Sequence, residues 1–571
     1  MSALVGAVSV AGSLCTPLLG AARSALRGPA GDEPEPWGAR LAWVSALLAA
    51  VSVGVVVLQG RFLVGIHAGG RPGGVVLGLL ADPLTVTLVL LVCVVGALVQ
   101  SFSRRYLRGD PAASRFSAAA SLVVAGMVLV CASATLALLV AGWVLAGAAF
   151  LVALGCRPDL PGVATARRRS AVSFAVGDLA LVIALAVVSA RAGNVELATP
   201  GALAHATARV GGWETAVALL VVVAALTRSA QGPLGRWLPG TVSAPTPTSA
   251  LLHAGVVNGG GILLVRLGVL AGSSLVAMVL ALLVGGATAV VATQVMTRAP
   301  DVKGGLVFST ASQMGFMVAE CAVGASLAAV VHVIGHALYK ATLFLGSGGQ
   351  VSRLGERPAA PAVSTPGFVR VGATSLAAAA SAGALVAVPG VLGHRGAAVL
   401  LVFAAGTAAA ASWSWWDRPP ALRGGTWAFA VGLVAAAGLY GALLALLGGW
   451  IGPSIPGAAA SMPSPWWLLG VAVAGVAAAG LARLPGVQLR LAAILVDAAA
   501  APATLLERGD RSVVAARGLR WGLAGGPGGS APPGGSASRS GSGGQASRSG
   551  PGGPASGRGP ALDAVGDWHL A

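Results

Sequence analysis

Three titratable side chains stand at four-residue intervals within residues 301–349: His332, His336 and Lys340. In a helix, positions i, i+4 and i+8 lie on one face. Histidine changes charge near neutrality, and a desolvated lysine can be drawn toward the same range. Groups of this kind at hydrogen-bond or single-water spacing can pass a proton along the helix. The plain alternative is that each histidine is satisfied by a backbone carbonyl of a neighbouring helix. Lys303 and Lys340 are the two lysines of the chain, so a lysine inside an apolar run needs its own explanation. Glu320, late in the preceding run and with no obvious partner in sequence, is a further candidate proton carrier. No carboxylate or thiolate lies at ligand spacing near the histidines, so a zinc site is not expected there.

A second block covers residues 226–267. Arg228 ends an apolar run, and the helix-breaking residues Pro233, Pro239, Pro245 and Pro247 follow. Broken helices at membrane depth are tolerated where they line a water-filled cavity. His253 follows the break, one turn from Ser249, and Asn258 comes next. Arg236 reads as an ordinary snorkelling side chain, and that reading also stands open for Arg228. Asp178, early in another apolar run and just after Arg167–Arg169, is placed to pair with an arginine. Asp82, just before Pro83, reads as a helix cap.

The elements that must hold these groups are membrane helices. Of 571 residues, 56% are hydrophobic and 9% charged. A soluble chain of this length carries about a quarter charged residues, so a soluble enzyme is excluded. Apolar runs of spanning length, near 20 residues each, give an all-α polytopic fold of about fourteen or fifteen helices. They fall at about 2–20, 41–59, 76–100, 117–133, 135–155, 172–190, 214–231, 247–270, 274–296, 305–323, 327–347, 371–391, 396–412, 425–449 and 465–482. The excess of 36 basic over 18 acidic residues is topological, because arginine gathers in cytoplasmic loops. Loops bearing Arg104, Arg105, Arg108 and Arg115, then Arg167–Arg169, Arg236, and Arg298 with Lys303, fall on one side. This alternation puts the amino terminus outside and the carboxyl terminus in the cytoplasm, in a multi-pass protein of the cell membrane. The first segment lacks a basic region before its apolar stretch and reads as a retained helix.

The expected organisation is amino-terminal helices over 1–75, a conducting core over 76–350 and further helices over 351–482. A basic amphipathic cytoplasmic segment follows over 483–521, then a disordered Gly/Ser/Pro-rich tail over 522–571. The five cysteines form no C-x-x-C pair, and neither a Walker loop nor a dinucleotide fingerprint is present. Iron–sulfur clusters, ATP hydrolysis and nicotinamide binding are therefore not expected of this chain. With three tyrosines, stacking platforms for nucleic acid are not expected either.

Several strings resemble the proton-pumping-type membrane subunits of respiratory complex I, multi-subunit cation/proton antiporters and inorganic carbon pumps. They are Trp237-Leu238-Pro239, Ala244-Pro245-Thr246-Pro247 through Ser249-Ala250-Leu251-Leu252-His253, and Ser312-Gln313-Met314-Gly315. His332 through Phe344 completes the set, within about 76–350. The resemblance implies inverted repeats around helices broken near 228–247 and 383–395, with His394 and Arg395 at the second polar centre. Complex I members carry a Glu after the Gly-Trp of the fifth span, paired with a Lys in the seventh. Here those positions hold Val144 and Arg228. The strings at His253–Gly261 and His336–Ala341 look like the membrane subunit of the two-component inorganic carbon transporter, the DabB type.

That resemblance implies proton conduction, with Arg228 setting the field, Asp178 balancing charge, and His253, His332, His336 and Lys340 relaying. It also implies a large cytoplasmic partner, a zinc protein resembling a β-carbonic anhydrase that hydrates carbon dioxide to bicarbonate. The chain itself would hold no cofactor and would be no enzyme alone. Two other readings stand beside it: an antiporter-like subunit of NADH:quinone oxidoreductase or of a cation/proton antiporter, and a membrane scaffold that conducts nothing.

Overall fold

Hydropathy sets the framework. A computed structural model of the chain describes residues 2–26, 36–67, 75–199, 201–296, 299, 301–347, 367–388 and 425–456, with isolated positions from 405 to 416. They all fall within one compact unit, Met1–Ala503. The first helices are α1 (Ser2–Leu26), α2 (Pro36–Gln59), α3 (Pro83–Tyr106), α4 (Ala113–Ala132), α5 (Leu136–Leu154) and α6 (Val163–Ala192). Next come α7 (Ala202–Val210), α8 (Glu214–Arg228), α9 (Thr246–Ala254), α10 (Gly259–Arg266), α11 (Gly268–Ala271) and α12 (Leu275–Met296). The last are α13 (Val302–Ala322), α14 (Ser326–Leu345), α15 (Gly367–Val386) and α16 (Thr426–Ile451).

Eleven helical segments among the described residues are long and apolar enough to cross a membrane. Thirteen of the fifteen expected runs coincide with helices. The run at 465–482 and most of 396–412 lie outside the described residues, as do 483–571, His394 and Arg395. Helices approach closely where glycines face each other, as is common where no hydrophobic force acts between helices. A methyl on Gly126 of α4 would sit 2.8 Å from the Gly142 carbonyl of α5. One on Gly285 of α12 would sit 2.7 Å from the Gly315 carbonyl of α13.

Two features depart from the all-α expectation. Residues 76–81, read as the start of a span, belong to a strand. β1 (Phe62–His67) pairs antiparallel with β2 (Val75–Ala81), from Phe62 opposite Ala81 to His67 opposite Val75. The switch to helix falls at Asp82. Its carboxylate accepts from the Thr85 amide while the Thr85 hydroxyl takes the Asp82 amide proton, and Pro83 opens α3. This reciprocal cap fixes a boundary that hydropathy alone runs through.

The second departure lies inside the expected span 247–270. It is interrupted at Gly255, followed by a 3-10 turn over Val256–Asn258. The break expected near 228–247 is present: α8 stops at Arg228, Pro239 begins a 3-10 turn, and Pro245 caps α9 with Pro247 in its first turn. The Gly232–Pro233 peptide is cis.

Candidate functional site

The residues singled out from sequence form two buried polar clusters. In the first, the break after α8 leaves Arg228 as that helix's last residue, turned inward and 2% exposed, with Nη2 2.8 Å from Asp178 Oδ1 of α6. The same nitrogen donates to the Trp143 carbonyl at 3.3 Å. The guanidinium lies 4.3 Å from the Trp143 ring and 4.4 Å from the Phe174 ring, and Phe174 meets Trp237 edge-on. Gly147 makes the room: a methyl there would lie 2.8 Å from both terminal guanidinium nitrogens. The snorkelling reading of Arg228 is therefore overturned, while Arg236 is exposed as expected.

Asp178 finds its arginine fifty positions onward, while Arg167 and Arg168 remain exposed. Close packing of α6 on α8 aligns the pair, since a methyl on Gly177 would overlap the Thr227 side chain. Val144 is 38% exposed on the outer surface of α5. Arg228 takes its acid from α6 instead, from the half-buried Asp178.

In the second cluster, α14 carries His332, His336 and Lys340 on one face, and two other segments, α13 and the 3-10 turn at Asn258, supply their partners. His336 Nδ1 lies 3.0 Å from Asn258 Oδ1. The Asn258 amide nitrogen donates to the Ala254 carbonyl at 2.9 Å, which fixes the amide orientation and makes Oδ1 the acceptor. His336 therefore carries its proton on Nδ1. Its buried Nε2, with no partner among the described residues, is left as an acceptor.

His332 and His336 stand edge to face, with ring centroids 6.2 Å apart. His332 Nδ1 is 2.9 Å from Glu320 Oε2, the glutamate being 1% exposed. Glu320 thus has the partner its sequence context did not reveal. The reversal of direction at Gly324, whose φ of +76° suits glycine, brings the end of α13 back against α14. Lys340 Nζ donates to the Leu306 carbonyl at 3.1 Å and to the Ser309 hydroxyl. His253 is fully buried, its ring stacked on Phe344 at 4.3 Å, and neither ring nitrogen has a partner among the described residues.

The plain alternative for the histidines does not hold: none of the three is satisfied by a backbone carbonyl of the described residues. Side-chain acids, amides and hydroxyls interleave with the bases, and the open positions at His253, His336 Nε2 and Glu320 Oε1 can take water or a proton. Among the described residues no group of three or more His, Cys, Asp or Glu could hold a metal ion.

Sequence reasoning gave three contributors no role in the site. Asn258 sets the His336 tautomer, Ser309 receives Lys340, and Lys303, read as a loop residue, donates to the Val242 and Ala244 carbonyls of the broken segment. The rarity of lysine was the available signal for the last. The four prolines lie in and around the break.

The matches to known proteins follow the same residues. A family model described as NADH:quinone oxidoreductase/Mrp antiporter, TM, matches residues 133–416. A second, the N-terminus of complex I chain 5, matches residues 73–117. The probable inorganic carbon transporter subunit DabB1 of Halothiobacillus neapolitanus is 34% identical over 323 residues, 55% of this chain and 57% of its own length. NADH-quinone oxidoreductase subunit L of Mycobacterium tuberculosis is 33% identical over 342 residues, 57% of this chain and 53% of its own length. The chain thus spans little more than half the length of these relatives. In fold it is similar to the Mrp complex from Dietzia sp., with a TM-score of 0.54 at 22% identity over 90% of this chain and 60% of that one. The two models together take in residues 73–117 and 133–416, the second including every residue of the two polar clusters, and the chain belongs to the NADH:quinone oxidoreductase/Mrp antiporter family of membrane subunits.

Proposed function

We propose that this chain conducts protons across the membrane as one subunit of an inorganic carbon transporter. The observation that carries conduction is the buried row of Glu320, His332, His336 with Asn258, and Lys340 with Ser309. Acid, base and amide alternate along it, and buried acceptor positions remain open. A proton accepted at His336 Nε2 makes that ring a cation, which the Asn258 oxygen stabilises through Nδ1–H. Its onward release is favoured by Lys340 on the same helix face. The Arg228–Asp178 pair supplies a fixed field at the end of the broken helix, with Asp178 balancing the charge.

Support for the carbon branch comes from the probable carbon transporter subunits among the relatives and from Val144 at the position of the complex I glutamate. In this reading protons move down their gradient into the cytoplasm. Each charge moved down 100 mV supplies roughly 2.3 kcal/mol. A large zinc-binding, carbonic-anhydrase-like partner on the cytoplasmic face, where the carboxyl terminus also lies, would use that energy to make hydration of carbon dioxide one-way. The likeness to subunit L favours a second reading, an antiporter-like subunit of a redox-driven complex.

Extraction of the tagged chain in mild detergent, followed by mass spectrometry and metal analysis of what co-purifies, separates the two. A single large soluble chain carrying zinc supports the carbon transporter. Flavin- and iron–sulfur-bearing subunits would overturn it in favour of the redox complex.

A further inference from the structure

On the side of the fold opposite the arginine-rich loops lies a cavity of about 990 Å³. It opens between β2, the start of α3, residues 197–208, the start of α8, the end of α10 and residues 453–456. Its volume equals that of about thirty water molecules. The charged residues lining it are Arg61, Asp82, Glu214 and Arg266, none of which belongs to the two clusters above. Asp82 and Arg266 are 8% and 5% exposed, yet they form no ion pair with each other. Each is held by its own neighbours: Asp82 by the Thr85 amide at 2.8 Å, and Arg266 by the Ser133 carbonyl and hydroxyl. They are fixed charges facing a shared volume that is roomy enough to hold water and offers it polar partners. Glu214, half-buried in the first turn of α8, has no hydrogen-bonding or ion-pair partner for its side chain among the described residues. α10 joins this cavity to the polar row, with Arg266 at one end and Asn258 just before the other. Eight residues of helix span about 12 Å.

We infer that this cavity is the aqueous outer mouth of the proton path, in which Glu214 collects protons and buried Arg266 bars metal cations. The inference rests on the proposed conduction and adds its selectivity. A proton crosses by transfer between waters and carboxylates. A sodium or potassium ion must keep its charge and find oxygen ligands. Beside a buried guanidinium it meets repulsion, and Asp82 is already engaged as a cap. A fixed arginine at a constriction is an electrostatic barrier of this kind.

The test uses the full-length chain, with whatever partner co-purifies, reconstituted in liposomes and followed with a pH dye and with radioactive sodium. Glu214→Gln is expected to slow proton uptake about fivefold. Arg266→Gln is expected to raise sodium uptake at least fivefold, and Arg266→Lys, which keeps the charge, to leave it at the wild-type level. Arg266→Gln as sodium-tight as Arg266→Lys, with both monodisperse, would overturn the selectivity role. Thr207→Cys, on the cavity wall and in a Cys15→Ala background, tests the mouth independently of any flux. Labelling by a membrane-impermeant maleimide in intact cells supports an outer mouth. Labelling only after permeabilisation overturns the outer assignment, and no labelling in either state overturns the vestibule. Absence of proton flux in wild type, together with labelling of the Thr207→Cys variant in intact cells, would sink the proposed conduction and leave the vestibule standing.

Discussion

Asp178→Asn removes the charge facing Arg228 and leaves an amide oxygen that still accepts from the guanidinium. The two groups are 2.8 Å apart, the arginine 2% and the aspartate 21% exposed. Loss of one partner of a fully buried pair costs about 3–5 kcal/mol, because the remaining charge is uncompensated. Two features reduce that figure. The aspartate is partly solvated, which screens the pair, and the guanidinium keeps the faces of Trp143 and Phe174, each worth about 0.5–2 kcal/mol. The expected cost of Asp178→Asn is therefore about 2 kcal/mol. Arg228→Met leaves the aspartate facing an apolar chain and is expected to cost about as much. The double variant has neither charge, with the methionine lying between the two rings, so it should recover most of the loss. With each single variant costing about 2 kcal/mol and the double variant about 1 kcal/mol, a coupling of about 3 kcal/mol is expected from the cycle. The assay is denaturant unfolding of the detergent-solubilised chain, read by tryptophan fluorescence. Single-variant costs that add to within about 0.5 kcal/mol would refute the reasoning and assign the arginine's hold to the aromatic faces and the Trp143 carbonyl.

Asn258→Leu removes the acceptor for His336 Nδ1–H and frees the ring to carry its proton on Nε2, the wrong nitrogen for accepting one; proton uptake into liposomes should fall about tenfold or more, at a stability cost of about 1–3 kcal/mol. His332→Ala leaves the Glu320 carboxylate buried without its partner, at a cost of about 1–3 kcal/mol. Adding Glu320→Leu should return much of that stability without returning proton flux, both checked on the same preparations. On the arginine-rich face, Arg157 hydrogen-bonds Asp159 and also Asp110 across two loops, and the Arg157 hydrogen bonds hold the Asp159 carboxyl below its ordinary range. A lowered folded-state value contributes stability above the ordinary carboxylate range and loses it as pH falls through the lowered value. Amide exchange in the 157–161 turn should therefore quicken only below the usual aspartate range, and Arg157→Ala should make it fast at neutral pH as well.

Hydropathy, proline placement and the spacing of histidines along α14 are properties of consecutive residues, so they were legible in the sequence. The thirteen apolar runs that coincide with helices, the break after Arg228 and the shared face of His332, His336 and Lys340 follow from them. So does the family, because strings such as Trp237-Leu238-Pro239 and Ser312-Gln313-Met314-Gly315 fill positions where packing leaves little choice. A methyl on Gly315, for example, would lie 2.9 Å from the Gln231 side chain oxygen. The β1–β2 hairpin was not legible, because its apolar run continues into α3 and only a reciprocal cap at Asp82 marks the change. The interruption at Gly255 was hidden in the same way, since an apolar segment reads alike whether its helix is whole or broken.

Pairing was decided by tertiary structure alone. Asp178 meets Arg228, Glu320 meets His332 and Asn258 meets His336 because of how each helix is rotated about its axis and how closely glycines let it approach its neighbour. Sequence spacing fixes which residues share a face of one helix. Which face meets which is settled only when the helices pack, since in a membrane that choice depends on shape and hydrogen bonding between segments far apart in the chain.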